Sequence, residues 1–330
     1  MDVSIIIVAW NVRDLLYGCL KSVYEQTKEL EFEVIYVDNA SEDGSVQLVR
    51  REFPDVRTIE NQRNEGFVIA NNQGIEIARG RYVLLLNSDT VVLDNAIKKA
   101  VEFADAHPEA AVVGCKVLNP DRTLQRNCFM YPSVLNVFIS AMYLNKLFPQ
   151  SRLCGRERMT WCDFNGAMEV ETVAGCFSLV RKKAIEQVGP MDKIYYVFGD
   201  DPDWCYRFRK AGWKIMFTST PRIIHYKGQN IKRNPDKFFF QMHGSKLIFL
   251  KKFGNALTFL LARLLTCLFF VLRAPYWQVI GMLDKAGRKD AISTAGTYLA
   301  GARCCLADWT DLLMNKEQVK EMLRNGEFLV

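Results

Sequence analysis

The chain has 330 residues, enough to bury a sizeable core in one large or two small domains. Its hydrophobic share of 49% excludes an intrinsically disordered chain. The 43 Lys/Arg and 37 Asp/Glu leave a net charge of +6, but from Trp204 to Asn255 twelve Lys/Arg face one acidic residue, Asp236, a local +11. Such a block points to an anionic partner: phosphate, nucleic acid or an anionic membrane surface.

The first half alternates strand and helix signals. Val3–Ala9 is an apolar run of strand length, followed by helical periodicity over Val12–Glu25. Phe32–Val37 reads as a strand, Gly44–Phe53 as a helix, Val56–Ile59 as a short strand and Gly66–Arg79 as a helix stopped by Gly80. Arg81–Leu86 is a strand, Asp94–Ala106 a helix and Ala111–Val117 a strand. Strands apolar throughout, alternating with helices, predict an α/β fold with a mostly parallel sheet covered on both faces. Asn119 to Gly166 has turns, aromatics and mixed charge without a clear period. The pattern resumes with a strand over Val173–Val180, a short helix over Arg181–Val188, a helix ending near Ala211 and strands near Lys214–Thr218 and Arg222–His225.

Ala256–Leu272 carries a single charge, Arg263, with Lys246, Lys251, Lys252 and Arg273 around it and Tyr276-Trp277 beyond. At 17 residues the run is short of the roughly 20 needed to span a bilayer. It suits a helix lying in or dipping into a membrane surface, or else a buried packing or dimerisation helix. The ten cysteines show no CxxC pair and no metal-type spacing, and Met1-Asp2-Val3-Ser4 leads straight into a strand with no signal peptide. The cysteines are therefore expected to be reduced and mostly buried, in a cytosolic protein.

Ligands of parallel sheets bind outside the carboxyl ends of strands, and several polar residues fall there. Asp38 ends one strand and opens Asn39-Ala40-Ser41. A carboxylate there can accept from a uracil or thymine imide N–H, although Asp, Asn, Ser and Gly are also ordinary turn residues. Asn64-Glu65-Gly66-Phe67 sits at a loop-to-helix junction, where backbone N–H groups can approach a ligand or simply cap the helix. Asn87-Ser88-Asp89 follows the apolar strand; Asp89 suits a hard cation such as Mg²⁺ or Mn²⁺ shared with diphosphate oxygens, or is a lone turn aspartate. Asp200-Asp201-Pro202-Asp203 is the strongest signal. Pro202 fits a first helical position with Asp201 as N-cap, and Asp203 can pair with Arg207 one turn on. Three carboxylates so close also repel and raise a pKa, as a general base for a hydroxyl requires. His225 ends the strand Arg222-Ile223-Ile224.

Together these residues resemble a family. Val3–Val8 with Asn11, Val37–Ser41, Asn64–Phe67 with Asn71-Asn72, and Leu86–Asp89 look like inverting family 2 glycosyltransferases of the GT-A (Rossmann-like) fold. Val173–Cys176, the Asp200–Cys205 stretch with Arg207, and Lys210–Trp213 agree with the acceptor-side half and the Glu-Asp-x-Asp motif. Rhamnosyltransferase-like enzymes are the most similar subgroup, with galactofuranosyltransferases nearby. The resemblance implies a catalytic domain over residues 1–245 and a C-terminal helical, membrane-associating or dimerising region over 246–330.

It also implies roles. Asp201 would be the base; Asp38, Asn64, Asn87 and Ser88 would hold the nucleotide; Asp200, Asp203 and Trp204 would support the acceptor side; and Asp89 and His225 would bind Mg²⁺ or Mn²⁺. The donor would be dTDP-L-rhamnose or another pyrimidine-nucleotide sugar such as a galactofuranosyl or hexosyl donor. The acceptor would be a lipid-linked saccharide at the cytoplasmic face of the membrane. Gly199, Pro202 and Val68 depart from the usual aromatic, aliphatic and glycine at those places. A nucleotidyltransferase would want a Gly-rich, Arg-containing loop where this chain reads Ala9-Trp10-Asn11-Val12. A nucleic-acid-binding protein would explain the basic block but not the carboxylates, so no nucleic-acid partner is expected. A catalytically inactive scaffold of the same fold, or a homodimer, remains open.

Overall fold

The computed structural model describes residues 1–228, 234–283 and 288–327. Residues 229–233, part of the basic block, lie outside the described residues. The described chain divides into two compact units: residues 1–131 with 162–233, and residues 132–161 with 234–330.

The first unit begins with β1 (Val3–Ala9), α1 (Arg13–Gln26), β2 (Phe32–Asp38), α2 (Ser45–Glu52), β3 (Arg57–Glu60), α3 (Gly66–Ile77) and β4 (Tyr82–Leu86). It continues through β5 (Thr90–Leu93), α4 (Ala96–Ala106), β6 (Ala110–Leu118), β7 (Leu124–Gln125) and β8 (Cys128–Phe129). Alternate residues of a strand face opposite sides of the sheet. In β1, Val3, Ile5 and Ile7 enter a core with Leu16, Leu20, Ile97 and Val101 of α1 and α4. Ile6 points the other way, where a Cβ on Gly74 of α3 would stand 2.7 Å from its methyl group. Both faces are thus covered, which is why β1 is apolar at nearly every position. Each fully buried Ile stabilises the fold by about 2–3 kcal/mol relative to an exposed one.

After the second unit's α5 (Val134–Ala141) and α6 (Leu144–Leu147), the first unit resumes with β9 (Ala167–Glu169), β10 (Thr172–Val173), β11 (Phe177–Arg181), α7 (Lys182–Val188), α8 (Asp200–Lys210) and β12 (Lys214–His225). The main sheet runs β3-β2-β1-β4-β11-β6-β12-β5. Its first four strands are mutually parallel, and β12 runs parallel to β6. β11 is antiparallel to both β4 and β6, and β5 is antiparallel to β12 at the edge. The result is a mixed α/β sheet with a parallel half. β12 is one strand with a register shift between Phe217 and Arg222, where the sequence suggests two.

The second unit is helical: α5 and α6, then α9 (Pro235–Phe253), α10 (Ala256–Leu283), α11 (Arg288–Leu306), a 3-10 turn (Trp309–Leu312) and α12 (Lys316–Asn325). α10 outruns the 17-residue apolar stretch read from the sequence. Ala256–Ile280 is long and apolar enough to cross a membrane, and much of it is exposed: Leu257, Leu260, Leu261 and Leu264 lie in solvent-accessible positions. Its two arginines do not break it. Arg263 donates to the Cys305 and Leu306 carbonyls at the end of α11, at 2.6 and 2.9 Å. Arg273 is buried, donates to the Ser140 carbonyl at 2.7 Å and stacks on Tyr143 and Phe269. All ten cysteines are free thiols, eight of them buried.

Candidate active site

The carboxyl end of β4 brings the first polar cluster. The strand ends at Leu86, and Asn87-Ser88-Asp89 turns into β5. β5, which the sequence pattern does not announce, pairs Thr90 with His225 at the end of β12. The Tyr226 N–H then donates to the Asp89 carbonyl at 2.9 Å. This pairing joins residues far apart in the chain: Asp89 Oδ1 and His225 Nε2 lie 3.1 Å apart, with Asn87 Nδ2 at 3.3 Å from the same nitrogen. Burial alone would pull the His225 pKa down, but the Asp89 carboxylate and the Cys176 thiol outweigh it and push it up to about 10. Ser88 is buried in the turn itself.

The second cluster opens α8. Gly199, in the left-handed region at φ +82°, is the N-cap, so the reading of Asp201 as cap does not hold. Pro202 is the third residue of the helix, which costs nothing because first-turn N–H groups have no intrahelical partner. Asp200 and Asp203 are buried, whereas Asp201 stays partly exposed. Among the described residues, Asp200 Oδ2 is buried without a hydrogen-bond partner. Its carboxyl is pushed up to about 6, first by burial and further by the Asp203 charge, against the opposing backbone N–H. Asp201 is raised well above the usual carboxylate range, first by burial and then by Asp200, against a backbone hydrogen bond at Gly175. Asp203 is a different case: Arg207 Nε donates to its Oδ1 at 2.8 Å, both side chains are buried, and Arg207 also donates to the Val188 and Pro190 carbonyls. Trp204 is buried against Phe208 and donates to the Gly189 carbonyl at 2.9 Å.

Ala174-Gly175-Cys176 lies between the clusters. The expected strand Val173–Val180 is broken here into β10 and β11. The Ala174 N–H donates to the Asn127 carbonyl, and the Asn87 N–H to the Cys176 carbonyl. A Cβ on Gly175 would stand 3.0 Å from Asp201 Oδ1. The break therefore holds Asp201 on one side and Asn87 and His225 on the other.

Asp38 ends β2 as expected, but both its oxygens are engaged within the fold. The Tyr36 hydroxyl donates to Oδ1 at 2.6 Å and the Ser41 N–H to Oδ2 at 2.8 Å. Asn64 closes its own loop, its Oδ1 accepting from the Gly66 N–H and the Tyr196 hydroxyl. Sequence reasoning missed Gly175, Tyr36 and Gln125. The break in an otherwise apolar strand is the signal that could have found Gly175; nothing in one sequence marks Gln125.

A profile described as glycosyl transferase family 2 matches residues 4–189, more than half of the chain. The chain belongs to glycosyl transferase family 2. This family 2 glycosyltransferase is 26% identical over 228 residues to an N-acetylglucosaminyl-diphospho-decaprenol L-rhamnosyltransferase of Mycobacterium tuberculosis, covering 66% of this chain and 74% of that one. Its fold is similar to that of a mannosyltransferase from Pyrobaculum calidifontis solved with GDP-Man and Mn²⁺ (TM-score 0.56, 17% identity, 93% of this chain and 87% of that one). It is also similar to GalNAc-T7 solved with UDP, GalNAc and Mn²⁺ (TM-score 0.51, 16% identity, 68% and 44%).

The residues of this glycosyltransferase fit a divalent cation of the shared-ligand kind. Among the described residues no group of three or more His, Cys, Asp or Glu side chains converges. A hard cation held partly by substrate phosphates needs fewer protein donors, one or two carboxylates being usual. Asp89 and His225 supply an oxygen and a nitrogen that already face each other.

Proposed function

We propose that this family 2 glycosyltransferase is an inverting enzyme. It moves L-rhamnose, or another sugar, from a pyrimidine-nucleotide donor such as dTDP-rhamnose to a hydroxyl of a lipid-linked saccharide. The named activity of the M. tuberculosis relative supports the sugar and the acceptor class. The observation that carries the reading is the Gly175 break, which sets a partly exposed, proton-attracting Asp201 beside the Asn87–Asp89–His225 cluster.

Asp201 takes the proton of the acceptor hydroxyl. That oxygen forms its bond to the anomeric carbon while the bond to the nucleoside diphosphate breaks on the opposite face, so the configuration inverts. The neighbouring Asp200 charge makes ionisation of Asp201 less favourable and so strengthens it as a base. Asp203, locked to Arg207, anchors the first turn of α8. Asp89 and His225 would hold Mg²⁺ or Mn²⁺, which would supply positive charge to the nucleoside diphosphate. Asn87, Ser88 and Asn64 line the nucleotide side, and Asp38 retains lone pairs for the nucleobase despite its two internal bonds.

Catalysis is carried within residues 1–245. The helices of 246–330, with the exposed apolar stripe of α10 and the lysines before it, bring the enzyme to the cytoplasmic face of the membrane where a lipid-linked acceptor lies. The test is a thermal-shift series with dTDP, UDP, GDP and CDP, each with and without Mn²⁺. A metal-dependent rise with dTDP or UDP is expected; a folded protein that responds to none of them would overturn the reading.

A further inference from the structure

The turn after β6 points a chain of side chains at His225. It starts at Asp121, an exposed carboxylate that, when ionised, can accept hydrogen bonds but not donate them. The Thr123 hydroxyl donates to Asp121 Oδ1 at 2.6 Å. Having spent its proton there, it accepts from Asn119 Nδ2 at 2.9 Å. With its amide nitrogen so placed, Asn119 presents Oδ1 to Gln125 Nε2 at 2.8 Å, and the same Gln125 nitrogen also donates to the His225 carbonyl at 3.1 Å. Gln125 Oε1 is thereby left facing His225 Nδ1 at 2.6 Å. Two acceptors fix the Gln125 nitrogen, so its oxygen requires an N–H from the ring.

We propose that Gln125, oriented through Asn119 and Thr123 by Asp121, is a positioning residue that holds the Nδ1–H of His225 and so aims Nε2 beside Asp89 as the nitrogen that takes the metal. The inference rests on the metal reading of Asp89 and His225 given above. Metal-binding imidazoles are commonly held by such a bond at the other ring nitrogen, and losing it costs about 10- to 100-fold in metal affinity. Gln125 is buried, as a side chain serving another side chain should be, whereas Asp121 and Thr123 lie in an exposed hairpin turn, where the Thr123 N–H also donates to Asp121 Oδ1 at 3.0 Å. The relay lies within the first unit and reaches across the β6–β12 pairing.

The experiment measures Mn²⁺ binding to full-length protein with UDP or dTDP, by the loss of the free-Mn²⁺ electron paramagnetic resonance signal. Metal-free nucleotide binding and melting temperature are recorded alongside. Gln125→Leu should weaken Mn²⁺ about 10- to 100-fold and leave metal-free nucleotide binding unchanged. Gln125→Glu keeps an acceptor at Nδ1 but turns its second oxygen onto Asn119 Oδ1 and the His225 carbonyl, so its Mn²⁺ affinity should fall between those of Gln125→Leu and wild type. Thr123→Val, at an exposed position that tolerates the change, frees the Asn119 amide to turn over and should weaken Mn²⁺ by a smaller factor, about two- to fivefold. It keeps the test decisive if Gln125→Leu does not fold. Nitrogen-15 spectra of the Mg²⁺-nucleotide complex, assigned by loss of the signal in His225→Ala, should show the His225 proton on Nδ1. Wild-type Mn²⁺ affinity in Thr123→Val and in folded Gln125→Leu would overturn the positioning role alone, and a His225 proton on Nε2 would overturn it together with the use of that nitrogen as a metal ligand. A wild-type protein that binds no Mn²⁺ with either nucleotide would remove the metal reading, and this inference with it.

Discussion

Gly175 and Asp201 are in tight contact. A Cβ at 175 would stand 3.0 Å from Asp201 Oδ1, so the carboxylate would have to give by a few tenths of an ångström, while the Phe67 ring, at 3.4 Å, would be in ordinary contact. Overpacking of this kind costs about 1–3 kcal/mol. For a base, displacement matters more than stability, because a shift of about 1 Å can cost on the order of 100-fold in rate. Gly175→Ala is therefore expected to lower kcat at least tenfold while the protein remains folded by circular dichroism. A variant with wild-type kcat would show that Asp201 need not sit where this contact holds it.

The raised carboxyls predict opposite effects on activity and stability. Both Asp200 and Asp201 hold protons in the folded chain at pH values where an ordinary aspartate, near 3.8, has lost them. From about pH 4 up to that displaced titration the native state binds more protons than the unfolded state, so stability falls as pH rises through the window. Asp201→Asn cannot ionise and keeps an oxygen for Gly175. It should abolish transfer, by about 1,000-fold or more, yet raise the melting temperature by a few degrees at pH 8, the gain fading towards pH 4. Wild-type activity should show an acidic limb above the ordinary carboxylate range. Scanning calorimetry across pH 4–8, beside rate measurements, checks both; a destabilised Asn variant at pH 8 would contradict the assignment.

Removing either member of the Asp89–His225 pair should affect metal and nucleotide together. Asp89→Ala and His225→Ala are each expected to lose at least tenfold in Mn²⁺ affinity, and EDTA should remove the activity of wild type. Calorimetric titration of Mn²⁺ in the presence of dTDP is the measurement. An enzyme that retains full activity in EDTA would leave the 3.1 Å pair as a simple ion pair.

These expectations divide according to what a sequence can carry. β1, β2, β4 and β6 are continuous apolar runs, and their placement follows from burial on both faces. The tips Asp38 and Asp89 follow directly from those runs. β5 is four residues long, and as an edge strand it has no pattern of its own; its existence depends on β12, more than a hundred residues later. Without it nothing in the spacing brings His225 to Asp89, so their pairing was legible through resemblance alone. Gln125 shows the same limit, since its partner lies 100 residues away. Pro202 suits a first helical position, which offers Asp201 a second reading as cap beside that of base, but Gly199 takes the left-handed conformation and α8 starts two residues earlier, at Asp200.

Asp203 and Arg207 make a buried ion pair, and breaking such a pair from one side costs roughly 3–5 kcal/mol because a charge is left uncompensated. Asp203→Ala should accordingly lower the melting temperature by on the order of 10 °C. The remaining folded enzyme, assayed at low temperature, should keep kcat within about tenfold of wild type, because Asp203 is fully buried against Arg207. A stable variant with no activity would instead place Asp203 in the chemistry.

Exposed apolar side chains on one stretch of α10 bear on where the enzyme works. Leu257, Leu260, Leu261 and Leu264 are 41–62% exposed, and Lys251 and Lys252 close the preceding helix. A stripe of this kind gains from insertion below the headgroups, and each lysine near an anionic surface adds about 1 kcal/mol. The protein should therefore sediment with vesicles containing phosphatidylglycerol. Leu260→Glu with Leu264→Glu should move it to the supernatant without lowering its melting temperature, since neither side chain is buried in the fold. Replacing Lys251 and Lys252 by Gln should weaken binding to anionic vesicles and leave the weaker binding to neutral ones unchanged. If instead the leucines hold a second copy of the chain, the double Glu variant will change the mass seen by light scattering while vesicle binding stays as it was.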